Sequence, residues 1–74
     1  MFVKYLDKDR DSNVSMYEIG QDYIAVIFKG TQKVYKYSYS SAGSLNVENM
    51  KLLAVRGDGL NSYIDKKCRN LYVK

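Results

Sequence analysis

The apolar residues change their repeat near residue 40, and that change constrains the fold more than any other feature. Before it, β-branched and aromatic residues cluster in short runs, Val14–Ile19, Tyr23–Phe28 and Val34–Tyr39. Such runs, broken by Gly20-Gln21-Asp22 and by Gly30, read as strand, turn, strand, turn, strand. After it, Val47, Met50, Leu53 and Ala54 fall on one face of a helix that Ser44 or Asn46 could cap and Gly57 could stop. Leu60, Tyr63, Ile64 and Cys68 form a second stripe at helical spacing. Gly57-Asp58-Gly59 is a tight link in which a helix stop is followed by an N-cap. The expected fold is therefore α+β, a three-stranded antiparallel β-meander followed by two α-helices packed on one face of the sheet. Residues 1–11 are an N-terminal arm or an added strand, and 12–74 a single domain. The expected core is Ile24, Val26, Phe28, Val47, Met50, Leu53, Leu60 and Ile64, with Met50 and Leu53 as its anchors in the first helix.

At 74 residues the chain is one domain with a modest interior. Cys68 is the only cysteine, so no disulfide forms within the chain, and a free thiol fits a reducing compartment. Histidine is absent, which removes the usual general base and the commonest transition-metal ligand. It also excludes a cysteine–histidine nucleophile at Cys68. No phosphate-loop signature is present, because Leu60-Asn61 follow the last glycine of the link. No apolar signal segment opens the chain, and the longest apolar run, Tyr23–Phe28, is six residues. These features lead us to expect a cytoplasmic protein with no membrane segment, no catalysis, no cofactor and no metal.

Charge is unevenly placed. Residues 1–22 carry three cations against five carboxylates, a net −2, whereas residues 23–74 carry nine against three, a net +6. The positive part suits an anionic partner, and a solvated surface tuned for solubility reads equally well. Tyr35, Tyr37 and Tyr39 alternate with Lys36 and share one face of a strand. Hairpin parity decides which face. A two-residue loop at Gly30-Thr31 pairs Val26 with Tyr35 and Ile24 with Tyr37 and turns the rings inward; a three-residue loop puts them beside Tyr23, Ala25 and Ile27 on an exposed platform. The two-residue form is the commoner, so the inward arrangement is expected. Outward rings would each stack a nucleobase with about 1–3 kcal/mol. Inward rings would leave Lys29, Lys33 and Lys36 to phosphate alone.

Several short motifs stand in a familiar order: Ser12-Asn13-Val14, Gly20 with Asp22, Ile24–Phe28, Gly30, Tyr35-Lys36-Tyr37, then Gly57 with Leu60-Asn61 and Ile64. Over about residues 12–72 this order resembles the KTSC domain, a small module named for the C-terminus of some lysyl-tRNA synthetases. That module also occurs as a stand-alone bacterial or phage protein. The chain lacks the family's usual proline after the tyrosine pair and has Leu60 where an aromatic is common. The resemblance implies a compact α+β domain, a suggested role in RNA binding, no catalytic residues and no cofactor.

The expected nucleic-acid contacts are Lys33, Tyr35, Lys36, Tyr37, Arg56, Lys66, Lys67 and Arg69. The partner would be RNA or another polyanion, bound by a monomer or a weak dimer. The competing expectation is a protein-interaction module with an apolar patch around Val14, Met16 and Ile27 on the open sheet face. A third is a calcium loop at Asp7, Asp9, Asp11 and Glu18, whose carboxylates match the EF-hand spacing. Against it, Ser12 stands where that loop turns on glycine, and strand-like sequence follows Glu18.

Overall fold

The computed structural model describes residues 1–8 and 12–73. They form an α+β fold with a four-stranded antiparallel sheet in the order β1 (Val3–Lys4), β2 (Val14–Ile19), β3 (Tyr23–Phe28) and β4 (Val34–Ser38). The expected three-strand meander is present, and the N-terminal arm adds the fourth strand by pairing Val3 with Tyr17 and Lys4 with Met16. The helical half comprises α1 (Tyr39–Ala42), α2 (Ser44–Arg56) and α3 (Leu60–Tyr63). The last runs straight into a π-helical turn, Ile64–Cys68.

Between β3 and β4 the register is Val26↔Tyr35 and Ile24↔Tyr37, the inward arrangement. The connection differs from a two-residue hairpin. The ladder closes at Ile27↔Val34, leaving residues 28–33 to cross over. Gly30 takes a positive φ of 81° inside a turn closed by the Thr31 amide on the Phe28 carbonyl. Six residues keep the parity of two, so the tyrosines face the same way. In β2 the register slips between Val14 and Met16. The extra residue lets Val14 and Tyr17, an odd number apart, both face the helices.

Ser38 ends β4 and caps α1, in a reciprocal capping box with Ser41. Tyr39 therefore leaves the strand and does not share the face of Tyr35 and Tyr37, contrary to the sequence expectation. Neither Ser44 nor Asn46 caps α2. Gly43 occupies that position at φ 91°, and Asn46 donates instead to the Ala42 carbonyl at 2.8 Å. At the other end Gly57 stops α2 in the left-handed region, as expected. Gly59 precedes α3, so Asp58 is not its cap. The Asp58 carboxylate instead lies 3.6 Å from the Arg56 guanidinium.

The core lies between the sheet and the helices. Ile24, Val26, Val47, Met50, Leu60 and Ile64 are buried there as expected, while Phe28 and Leu53 are half-buried at its margin. Tyr5, Val14, Tyr37, Ala42, Ala54 and Cys68 complete it. The Val73 amide donates to the Lys36 carbonyl at 2.6 Å, so the C-terminal segment lies along the outer edge of β4. Among the described residues, no helix is long and apolar enough to cross a membrane.

Candidate nucleic-acid interface

The tyrosine strand delivers two different rings. Tyr37 is 1% exposed, and its burial raises the phenol well above its ordinary pKa. It is therefore a core residue and leaves the set of stacking candidates. Tyr35, two residues closer to the open end of the sheet, is half-buried. Its ring meets Phe28 edge-to-face at 5.3 Å between centroids and Tyr72 at 4.9 Å. Tyr72 also meets Tyr37 at 6.3 Å, so the C-terminal segment packs on both strand tyrosines.

Beside Tyr35 a cleft of about 520 Å³ opens between the β3–β4 turn and the last helical turn. Asn13, Lys29, Tyr35, Asn61, Asp65 and Arg69 line it. Asp65 and Arg69 reach it together because they are four residues apart on one helical side. The Lys33 ammonium stands 5.3 Å from the Tyr35 ring centre, within cation–π range. Lys29 is tied to Asp7 at 2.8 Å, which draws the N-terminal arm toward the same end of the molecule.

Apart from the buried Tyr37, the sequence candidates thus divide among four places. Tyr35 and Arg69 line the cleft, and the Lys33 ammonium lies over the Tyr35 ring. Lys36 projects from the opposite sheet face, where its ammonium sits 4.4 Å from the Tyr23 ring centre. Strand alternation forces this, since Lys36 lies between two inward tyrosines. Lys66 and Lys67 line a separate shallow groove with Leu53, Gly59 and Tyr63. Arg56 lies at the end of α2 beside Asp58. The eight candidates do not form one surface.

Sequence reasoning left Asn13, Thr31, Asn61 and Asp65 out of the interface, and Tyr72 unmentioned. Asn13, Thr31 and the pair Asn61 and Asp65 come from three separate segments that only the tertiary fold brings to one cleft, and Tyr72 packs on the Tyr35 ring that lines it.

The open sheet face carries Met16 and Ile27, directly opposite each other and half-buried. Val14 is not part of that patch; the register slip turns it to the helical side, where it is 1% exposed. On the same face the Tyr23 hydroxyl donates to Glu18 at 2.9 Å, and the Met1 ammonium pairs with the same carboxylate. These two partners, the ammonium first, hold Glu18 below the ordinary carboxylate range.

In the calcium look-alike, Asp9 and Asp11 lie outside the described residues. Asp7 and Glu18 turn to opposite ends of β3, at Lys29 and at Tyr23. A six-residue strand separates those ends by about 20 Å. Glu18 stands within β2, so a strand follows where an EF-hand would continue as helix.

Comparison of the chain with protein-family models, with curated proteins and with solved structures yields no match.

Proposed function

We propose that this protein is a small nucleic-acid-binding domain that takes single-stranded RNA at the Tyr35 cleft. One observation carries the reading: a half-buried aromatic ring, a lysine over that ring and an arginine lining the same cleft meet at one end of the sheet. Aromatic faces accept any base, while cations beside them take the flanking phosphates. The two half-buried rings of the cleft, Tyr35 and Phe28, limit the footprint to one or two nucleotides, with little sequence preference. The likeness to the KTSC module and the net +6 of residues 23–74 support the same reading. Lys33 and Arg69 are the phosphate contacts, and Lys36, on the other sheet face, lies outside the footprint.

Fluorescence anisotropy with a short labelled single-stranded RNA tests it, at about 50 and 200 mM salt. Binding should weaken with salt, and Lys33→Ala and Arg69→Ala should each flatten the salt slope by about one. Lys36→Ala should behave as the wild type. Absence of binding at the lower salt, or equal losses in all three variants, would remove the proposal.

A further inference from the structure

We propose that the outer stripe of α2 seats a second copy of this chain, with the two helices antiparallel about a two-fold axis at Leu52. The stripe is independent of the Tyr35 cleft. Helix α2 buries Val47, Met50 and Ala54 against the sheet. Yet it also exposes Leu45 by 74%, Leu52 by 64% and Val55 by 63%. With Glu48, these residues follow a spacing of three, four and three, which places them along one line of the helix. At about 100° per residue the line runs opposite the buried side. An ordinary surface helix carries one apolar stripe; this one carries two.

Charge selects the occupant. Glu48 and Arg56 are each four residues from Leu52 and carry opposite signs. An antiparallel pair centred on Leu52 sets Glu48 of each copy against Arg56 of the other. A parallel pair would oppose like charges. The patch is thus complementary to itself under a two-fold axis, as an interface between identical chains requires. Both groups are accessible, with side-chain exposures of 51% for Glu48 and 65% for Arg56. Glu48 is held in place by the Lys51 ammonium at 2.8 Å and the Tyr39 hydroxyl at 2.6 Å. Centred on Leu52, the two copies of α2 overlap over residues 48–56 alone, about 13 Å, with Leu45 beyond the overlap, so the contact is smaller than a standard stable interface. The expected dimer forms at high protein concentration and dissociates on dilution.

Sedimentation of the full chain over a wide concentration range tests this. Circular dichroism of each variant checks that the fold is intact. The wild type should self-associate reversibly, and Leu52→Glu should sediment as a monomer throughout. Glu48→Arg and Arg56→Glu should each weaken association roughly fivefold or more. The double variant carrying both should recover wild-type association, because the pairing is restored with its signs exchanged. A wild type that stays monomeric at every concentration would overturn the proposal and hand the stripe to a different partner. A double variant as weak as the single ones, or a Leu52→Glu variant that still dimerises, would overturn it as well.

Discussion

The Tyr5 hydroxyl accepts a hydrogen bond from the Leu60 amide at 3.3 Å, joining residues 55 apart in the chain. Leu60 opens α3, and the first amides of a helix have no partner within it. Tyr5 supplies one from the N-terminal arm. Its ring is 2% exposed and packs edge-to-face on Tyr17 at 6.4 Å between centroids. One residue thereby connects the added strand, the sheet and the start of the last helix. Tyr5→Phe keeps the ring and strands the amide. The variant should lose about 1–3 kcal/mol of unfolding free energy, read from chemical denaturation. A variant as stable as the wild type would show that the amide finds another partner.

Gly57 ends α2 with a φ of 77°, and a Cβ built on it would sit 2.5 Å from the Leu6 Cβ. Gly59 has a similar φ of 83°, but its nearest neighbour would be Leu53 Cδ2 at 3.6 Å. Alanine at either position incurs the left-handed backbone penalty of about 1–2 kcal/mol. At Gly57 it must also displace the arm. Thermal unfolding should rank Gly57→Ala clearly below Gly59→Ala, and equal melting temperatures would mean that the arm yields freely.

Tyr37 makes stability sensitive to alkali. Its folded pKa is raised by burial above the unfolded value of 10.0. The contribution is fully present below the unfolded pKa. Above it the unfolded chain releases a proton that the folded chain retains, so stability falls as pH rises. The limiting slope for one such group is about 1.4 kcal/mol per pH unit. Denaturation curves taken on either side of pH 10.0 should show this loss in the wild type. In Tyr37→Phe, which has no proton to release, the slope should be visibly shallower; an unchanged slope would assign the alkaline loss elsewhere.

Cys68 is fully buried at the end of the π-helical turn, and desolvation raises its thiol above the ordinary cysteine pKa. Both features keep the reactive thiolate scarce and inaccessible. A thiol reagent at about pH 8 should modify the native chain slowly and the denatured chain completely. Rapid modification under native conditions would show that the 64–68 turn opens readily.

The fold was largely legible because the apolar pattern is local. The stripe Val47, Met50 and Ala54 marked α2, and the parity at Gly30 turned Tyr37 inward although the actual turn is longer than expected. What escaped was set either by a local cap that the strand pattern masked or by contacts distant in sequence. Tyr39 reads as strand by its neighbours, but the Ser38–Ser41 capping box starts a helix there. Val14 reads as an outward residue until the register slip at its side is known. The candidate interface was legible only in part for the same reason. Strand alternation could have separated Lys36 from Tyr35, whereas nothing local brings Asn13, Asn61 and Arg69 to one cleft.

The bond from Val73 to Lys36 has a consequence for how the molecule guards itself. A last strand with free backbone groups invites pairing with any passing extended chain. Here the terminal segment takes one of those groups while Tyr72 rests on the two strand phenols. Lifting residues 71–73 would therefore uncover a raw sheet rim and an aromatic surface in a single motion, so the seating of that one segment decides whether both stay covered.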